Sequence, residues 1–443
     1  MRQTTRRRFL ATTGAATFAG LAGCTGDGGQ TGDTTDTTTE TDTGTETTED
    51  GGGGGGDALP VGVLLPFTGE YDWVGANVFP VAQMVVDQIN AEGGVGGQEL
   101  TLVKGDTEAT VDASVTAARK LINVDEVVAI IGPTSLTFTG VIDLIQENGV
   151  PVVSPTAGTT ELNTVGGEYI FRTVPSDSLG GRAISKAARS KEYNTVQSYE
   201  RMGLMVGKAP ALQSFKEPIS SSFEEFGGTV TQTLDYATGK SSYQSEVSKM
   251  LSDDPELICL VGSPEDSAKI MHAAFQAGYE GNWFVTQDQT NADFLDLVDP
   301  QITDGILGLA EADNPEAKES GRVDQFAQDV QDATGDEPGL FAKNTYDAMN
   351  VAGLAMAAAA AGGDVTRESV AGNVPTVANP PGDAVTNYPD GASKLDGGTE
   401  VNYEGLVGPV DFDENGDITS PFAIMQADGS EWSAVTILPA DEL

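Results

Sequence analysis

Val127-Val128-Ala129-Ile130-Ile131-Gly132-Pro133 is an apolar run of strand length closed by a glycine-proline pair. A short unbroken apolar run bounded by turn residues reads as a strand. On its upstream side Val111, Val115, Ala118 and Ile122 recur at helical spacing, and Leu100-Thr101-Leu102-Val103 precedes them. Further upstream Val78, Val81, Val85 and Ile89 mark another helix, behind the strand Val61-Gly62-Val63-Leu64-Leu65. Downstream a helix is expected to carry Phe138, Val141, Ile142 and Ile145, followed by the strand Val150-Pro151-Val152-Val153.

The same alternation restarts later. Strands are expected at 204–206, 229–234, 257–261 and 283–285, with helices at 215–226 and 265–277. Strands that alternate with helices build parallel, doubly wound α/β sheets. Two series in one chain point to two lobes with a cleft between them. In open α/β sheets a ligand sits beyond the carboxyl ends of the strands, so the loops after Leu65, Ile131, Val153 and Val285 are the places to search.

The chain has 443 residues, enough for two or three domains at the usual 100 to 200 residues each. Its apolar fraction is 39%, and no stretch approaches the roughly 18 uninterrupted apolar residues of a membrane span. Acidic residues outnumber basic ones 67 to 23, giving a formal charge of -44. Such a chain repels duplex nucleic acid, whose binding requires cationic neutralisation of phosphates. The excess is spread along the whole length, which suits a medium of molar salt, where screening shortens the Debye length to about 3 Å. Attraction of a cationic ligand is the competing reading, but it requires only a local patch.

The first 57 residues differ in kind. Thr5-Arg6-Arg7-Arg8-Phe9-Leu10 and the small apolar stretch after it resemble a twin-arginine export signal, with Arg6 and Arg7 as the address. Leu21-Ala22-Gly23-Cys24 resembles a lipobox, which makes Cys24 the lipid anchor and residues 1–24 the signal. Residues 25–57 are Thr, Gly, Asp and Glu, ending in a glycine run at 51–56, and read as a disordered tether. A disulfide between the two cysteines is not expected, since Cys24 lies in the signal and Cys259 sits in an apolar run as a small buried hydrophobe.

Six segments in order carry a resemblance. They are Gly93-Gly94-Val95-Gly96-Gly97, Ile131-Gly132-Pro133-Thr134-Ser135, Pro151-Val152-Val153-Ser154-Pro155, Phe171-Arg172-Thr173, Phe275-Gln276-Ala277-Gly278 and Gly408-Pro409-Val410-Asp411-Phe412-Asp413-Glu414-Asn415-Gly416-Asp417. Together they resemble the type I periplasmic solute-binding proteins of ABC transporters, in the branch that binds leucine, isoleucine and valine, over essentially all of residues 58–443. The resemblance implies two Rossmann-like lobes, at 58–176 with 312–416 and at 177–311 with 417–443, joined by three hinge crossings near Ser176, Glu311 and Asp417.

It also implies a site. A serine at the start of the third helix, matched by Ser135, holds the ligand carboxylate with backbone N–H groups, and a helix N-terminus suits an anion. In the family the segment after the next strand gives a carbonyl and a hydroxyl to the ammonium group. Here Ala157 matches, Gly158 replaces the family's threonine, and Thr159 or Thr156 is the candidate substitute. Asp288 matches the acid that the second lobe offers to the ammonium. Tyr71 and Trp73 fall near the family's aromatic wall, while Ala211-Leu212 replaces a Tyr-Gly pair and Ser263 an aromatic residue. The implied ligand contacts are therefore Tyr71, Trp73, Thr134, Ser135, Thr137, Ala157, Gly158, Thr159, Ser263 and Asp288. The implied partners are a small-molecule ligand, an amino acid or an amide or urea relative, and the permease subunits of an importer. The implied protein is an exported monomer, held on the outer face of the cytoplasmic membrane by its lipid alone. A ligand sensor that presents its closed form to a signalling receptor is the alternative, because fold does not fix function.

Other chemistries fit less well. The glycines at 93–97 lack the G-x-G-x-x-G spacing and follow a helix, so a surface turn is expected. Asp411, Asp413, Asn415 and Gly416 mimic a calcium loop whose twelfth position is Phe422 where the bidentate Glu belongs, and no metal or cofactor is expected. The only histidine, His272, lies mid-helix without a G-x-S-x-G partner, so no catalytic residues are assigned. Met349 and Met356 read as helix packing. Ser135 is open to a second reading as a helix N-cap.

Overall fold

The computed structural model describes residues 58–443. The expectations placed on Arg6, Arg7, Cys24 and residues 25–57 lie outside these described residues.

The first lobe is built on β1 (Leu59–Leu65), β2 (Leu100–Asp106), β3 (Ala129–Ile131), β4 (Val152–Ser154) and β5 (Ile170–Arg172). They form an all-parallel sheet in the order β2-β1-β3-β4-β5. The apolar residues of β1 serve three clusters, Val63 and Leu65 packing with Val74 and Val78. Val61 packs with Val81, Val85 and Ile89 of the helix Asp72–Ala91 and with the helix Ala342–Gly362. Leu64 packs with Ala118, Leu121 and Ile122 of the helix Val111–Asn123. Covering both faces with helices is the usual condition of a parallel sheet.

The second lobe carries β6 (Arg201–Gly207), β7 (Thr229–Tyr236), β8 (Leu257–Val261), β9 (Asn282–Val285) and β10 (Leu307–Glu311), all parallel. The first lobe then resumes, with a small parallel pair, β11 (Asp383–Val385) and β12 (Val401–Tyr403). The chain returns to the second sheet as β13 (Phe422–Asp428) and β14 (Glu431–Leu438), giving the order β14-β13-β10-β9-β8-β6-β7. β13 runs antiparallel to β10 and β14 antiparallel to β13, so this sheet is mixed at one edge where a purely parallel one was expected. The cause of the second reversal is local: two residues, Gly429 (φ 65°) and Ser430, join β13 to β14, and so short a loop can only reverse the chain.

A second departure concerns residues 134–147. In place of a helix starting near Ser135, the chain makes a turn, a single 3₁₀ turn at Phe138–Gly140, and a six-residue helix, Ile142–Glu147. Hydroxyl side chains at 134, 135, 137 and 139 and a glycine at 140 weaken helix against local turns. Ser135 is therefore neither a helix N-cap nor beside a helix of dipole-bearing length.

Three strands of chain run between the sheets, and two side chains brace them. Buried Arg172, at the end of β5, donates Nε to Asp417 Oδ1 (2.6 Å) and Nη2 to Asp417 Oδ2 (2.5 Å). Asn344 donates Nδ2 to the Thr173 carbonyl (2.9 Å) and to Glu311 Oε2 (2.8 Å), while its own carbonyl accepts from Thr173 Oγ1 (2.8 Å). Ile418 is still buried in the first core and Phe422 already in the second, which puts the last passage between them.

The remaining motifs are structural. Gly93 and Gly94 turn the chain off the helix Asp72–Ala91 into the Val95–Gln98 bridge. The Asp413 carboxylate is used by the N–H groups of Asn415 (2.8 Å) and Asp417 (3.0 Å). His272 reaches the Leu297 carbonyl at 3.3 Å, and Met349 and Met356 are buried in the first core.

Candidate functional site

The carboxyl ends of the two sheets face each other across a cleft of about 750 Å³, part of it open to solvent. The loop after β1 contributes Tyr71 and the first turn of the following helix Trp73 and Val74, the loop after β3 Thr134, Ser135 and Leu136, and the loop after β4 Thr156 and Gly158. Val174 and Phe341 complete the first lobe's share. The second lobe supplies Asp177, then Ala211, Leu212 and Phe215 after β6, and Thr286, Gln287 and Asp288 after β9. All four loops singled out from strand ends contribute.

Six of the ten expected contacts line this cleft: Tyr71, Trp73, Thr134, Ser135, Gly158 and Asp288. The other four are not among the lining residues. Thr137 is wholly buried behind the turn. Ser263 caps the helix Pro264–Gln276, accepting from Asp266 N (3.3 Å). Ala157 and Thr159 turn their carbonyls to Arg172, whose Nη1 donates to them at 3.3 and 2.9 Å. A buried guanidinium requires acceptors for its five N–H groups, and this loop provides two of them. The Thr159 hydroxyl caps the next turn through Glu161 N (3.4 Å), while Thr156, the other candidate substitute, lines the cleft with its hydroxyl 3.4 Å from the Pro133 carbonyl.

Ser135 Oγ accepts from the Thr159 amide (3.2 Å), which ties the loops after β3 and β4 and leaves its hydrogen free to donate. Beside it Thr134, only 5% exposed, has a hydroxyl with no partner. An unpaired buried hydroxyl costs stability, and in a cleft its natural partner is a ligand.

The opposite charge comes from two acids. Asp288 lies half-buried after β9, and its removal from water pushes its pKa up to about 6. Asp177, missed from the sequence, opens the helix Asp177–Arg189, and its amide donates to the Gly158 carbonyl (2.7 Å). Burial raises its pKa to about 7, against the pull of the Ser214 hydroxyl and the Arg172 guanidinium and with a further push from Asp288. The two positions explain each other. A Cβ on Gly158 would stand 2.2 Å from Asp177 Oδ1, so the carboxylate fills the space of the absent side chain. The sequence signal was the glycine itself, at a place where φ does not require one.

Aromatic rings form the walls. Trp73 stacks on Phe341 with centroids 6.4 Å apart and planes 12° from parallel, and the pKa of Tyr71 is raised by burial first and then by the charges of Glu70 and Asp288. The lobes touch at the cleft's rim, where Thr160 N of the first donates to Ser214 Oγ of the second (2.8 Å).

Two α/β lobes that meet over one cleft are the type I bilobal fold. The chain belongs to the periplasmic binding protein family, whose sequence pattern matches residues 58–431. It is similar to the chemotactic signal transduction system substrate-binding protein BasB of Halobacterium salinarum, 25% identical over 370 residues that cover 80% of this chain and 84% of that one. It is also similar to the leucine-, isoleucine-, valine-, threonine-, and alanine-binding protein of Pseudomonas aeruginosa, 24% identical over 67% of this chain and 77% of that one. Among solved structures, the leucine binding protein LivK of Thermotoga maritima superposes with a TM-score of 0.72 at 22% identity, covering 87% of this chain and all of the other.

Proposed function

We propose that this chain is the exported substrate-binding subunit of an ABC importer, capturing a small polar ligand, an amino acid or an amide or urea relative, by closure of its lobes. The observation that carries the reading is the cleft itself, where the Thr134 and Ser135 hydroxyls of one lobe and Asp288 of the other line one space. A captured ligand brings a partner to the unpaired Thr134 hydroxyl, and the Thr160 to Ser214 contact already holds the lobes together at the rim, so the ligand and the lobes stabilise each other. The passages near Ser176, Glu311 and Asp417 serve as hinges in this reading. It assigns no chemistry, only capture and release to a permease.

Thermal melting in high salt against amino acids, amides and urea tests it. A ligand at 100 times its dissociation constant stabilises the fold by about 2.7 kcal/mol. No shift from any of them would remove the reading. Export through Arg6 and Arg7 and anchoring at Cys24 belong to the same proposal. Cys24→Ser should release a folded protein from the membrane fraction or leave its signal uncleaved, and normal processing with membrane retention would refute the anchor.

A sensory role is the second reading, favoured by the relative in Halobacterium salinarum whose name places it in chemotactic signal transduction. Deleting the gene separates the two: a transporter subunit loses uptake of its ligand, and a sensor loses only the taxis towards it.

A further inference from the structure

The charge count of the cleft does not suit a neutral ligand. A zwitterion brings one ammonium and one carboxylate. Asp177 and Asp288 both line the space, and none of the residues lining it is Lys, Arg or His. Arg172 is the nearest cation acting on Asp177, and its guanidinium is already engaged by both Asp417 oxygens, by Asn163 Oδ1 (2.6 Å) and by two carbonyls. Neither cleft carboxylate has an ion-pair partner among the described residues. The Thr134 hydroxyl, more than nine-tenths buried and unpartnered, fixes the other end of the ligand as a hydrogen-bonding group. The same cleft is lined by Tyr71, Trp73, Phe215 and Phe341, flat faces that suit an alkyl stem and favour a cation over them.

We propose that the cleft selects a ligand with net positive charge, a diamino acid or a close relative, with its polar end on Thr134 and Ser135 and its cationic groups on Asp177 and Asp288. This rests on the reading of the cleft as a ligand-capturing site and deepens it. Gly158 is the sequence mark of this selectivity, since only a residue without a Cβ leaves room for the Asp177 carboxylate.

Binding of a cation favours the ionised carboxylates, so it should expel protons. The groups facing the pair are few: Arg172 and Ser214 act on Asp177, Tyr71 lies near Asp288, and the Asp288 charge opposes ionisation of Asp177. Because burial holds Asp177 near 7 and Asp288 near 6, part of the pair is protonated at neutral pH, and that fraction is what leaves.

Calorimetry at pH 7 in two buffers of different ionisation enthalpy, at fixed high salt, tests this with L-lysine, L-ornithine and L-arginine against L-leucine and L-glutamine. The basic set should bind at least ten-fold tighter and release protons. Asp177→Asn and Asp288→Asn, shown folded by thermal melting, should each reduce the lysine-to-leucine preference ten-fold or more. Equal or tighter binding of leucine or glutamine, without proton release, overturns the charge selectivity and leaves the binding protein intact. Absence of binding by every amino acid tested overturns the charge selectivity, and the capture reading falls with it only if amides and urea also give no melting shift.

Discussion

Gly158 and Asp177 compete for one volume, and that competition can be tested directly. Gly158→Thr restores the side chain usual in the family but drives its Cβ into the Asp177 carboxylate. Overpacking of this kind costs about 1–3 kcal/mol, measurable by urea denaturation. Adding Asp177→Ala should recover most of that loss, since it empties the same space. If the single substitution is neutral, the carboxylate does not occupy the position. Asp177 also carries a pH signature. Its pKa rises in the fold from an ordinary 3.8 to about 7, so the native state holds the proton more tightly than the unfolded chain. The stability this contributes is full below about pH 4 and is lost as pH rises through 7. Asp177→Asn should therefore melt higher than the parent at pH 8 without ligand, by a margin that shrinks towards pH 4. A constant difference across that range would mean that Asp177 titrates as a surface acid.

At the level of elements, the strands and most helices were legible because their apolar spacing is strong. The start of the chain after β3 was not. Residues 134–141 have the right apolar positions for a helix, but their threonines and Gly140 favour a turn, and a Cβ on Gly140 would meet Val111 Cγ1 at 2.4 Å. Ser135 lines the cleft, but from a loop tied by its bond to Thr159 and not from the helix terminus the sequence suggested. Asp177 escaped because its role depends on a neighbour 19 positions earlier, a relation that spacing alone does not reveal. The ends of β5 and β10 hold the braces of the three passages. Arg172→Met should cost about 3–5 kcal/mol by leaving Asp417 without its ion partner. Arg172→Lys should recover little, because one ammonium cannot reach the carboxylate, Asn163 and two carbonyls together. Guanidinium denaturation of both variants checks the ranking.

Taken whole, the molecule pairs an acidic surface with a cleft that is acidic inside. The overall charge of -44 acts against compactness until salt screens it. Melting temperature should climb between 0.1 and 2 M potassium chloride, and a flat profile would show that the charges are already balanced locally. The same titration with a bound ligand separates surface from cleft, because pairs buried in the cleft are screened far less. The two-lobe plan was readable from the repeated alternation of strand and helix. The antiparallel hairpin at the second sheet's edge was not, since β14 is largely exposed and gives little apolar pattern.

Cys259 sits in β8 with Leu204 of β6 on one side and Phe284 of β9 on the other, and no part of it meets solvent. The chain's only other cysteine is Cys24. In a Cys24→Ser background a thiol reagent therefore has a single target, sealed in the middle of one lobe, and the rate of its modification becomes a clock for how often that sheet comes apart. Because the first lobe holds no thiol, the clock is silent about it. Its slowing under ligand would measure how far capture in the cleft is felt at the heart of the second sheet.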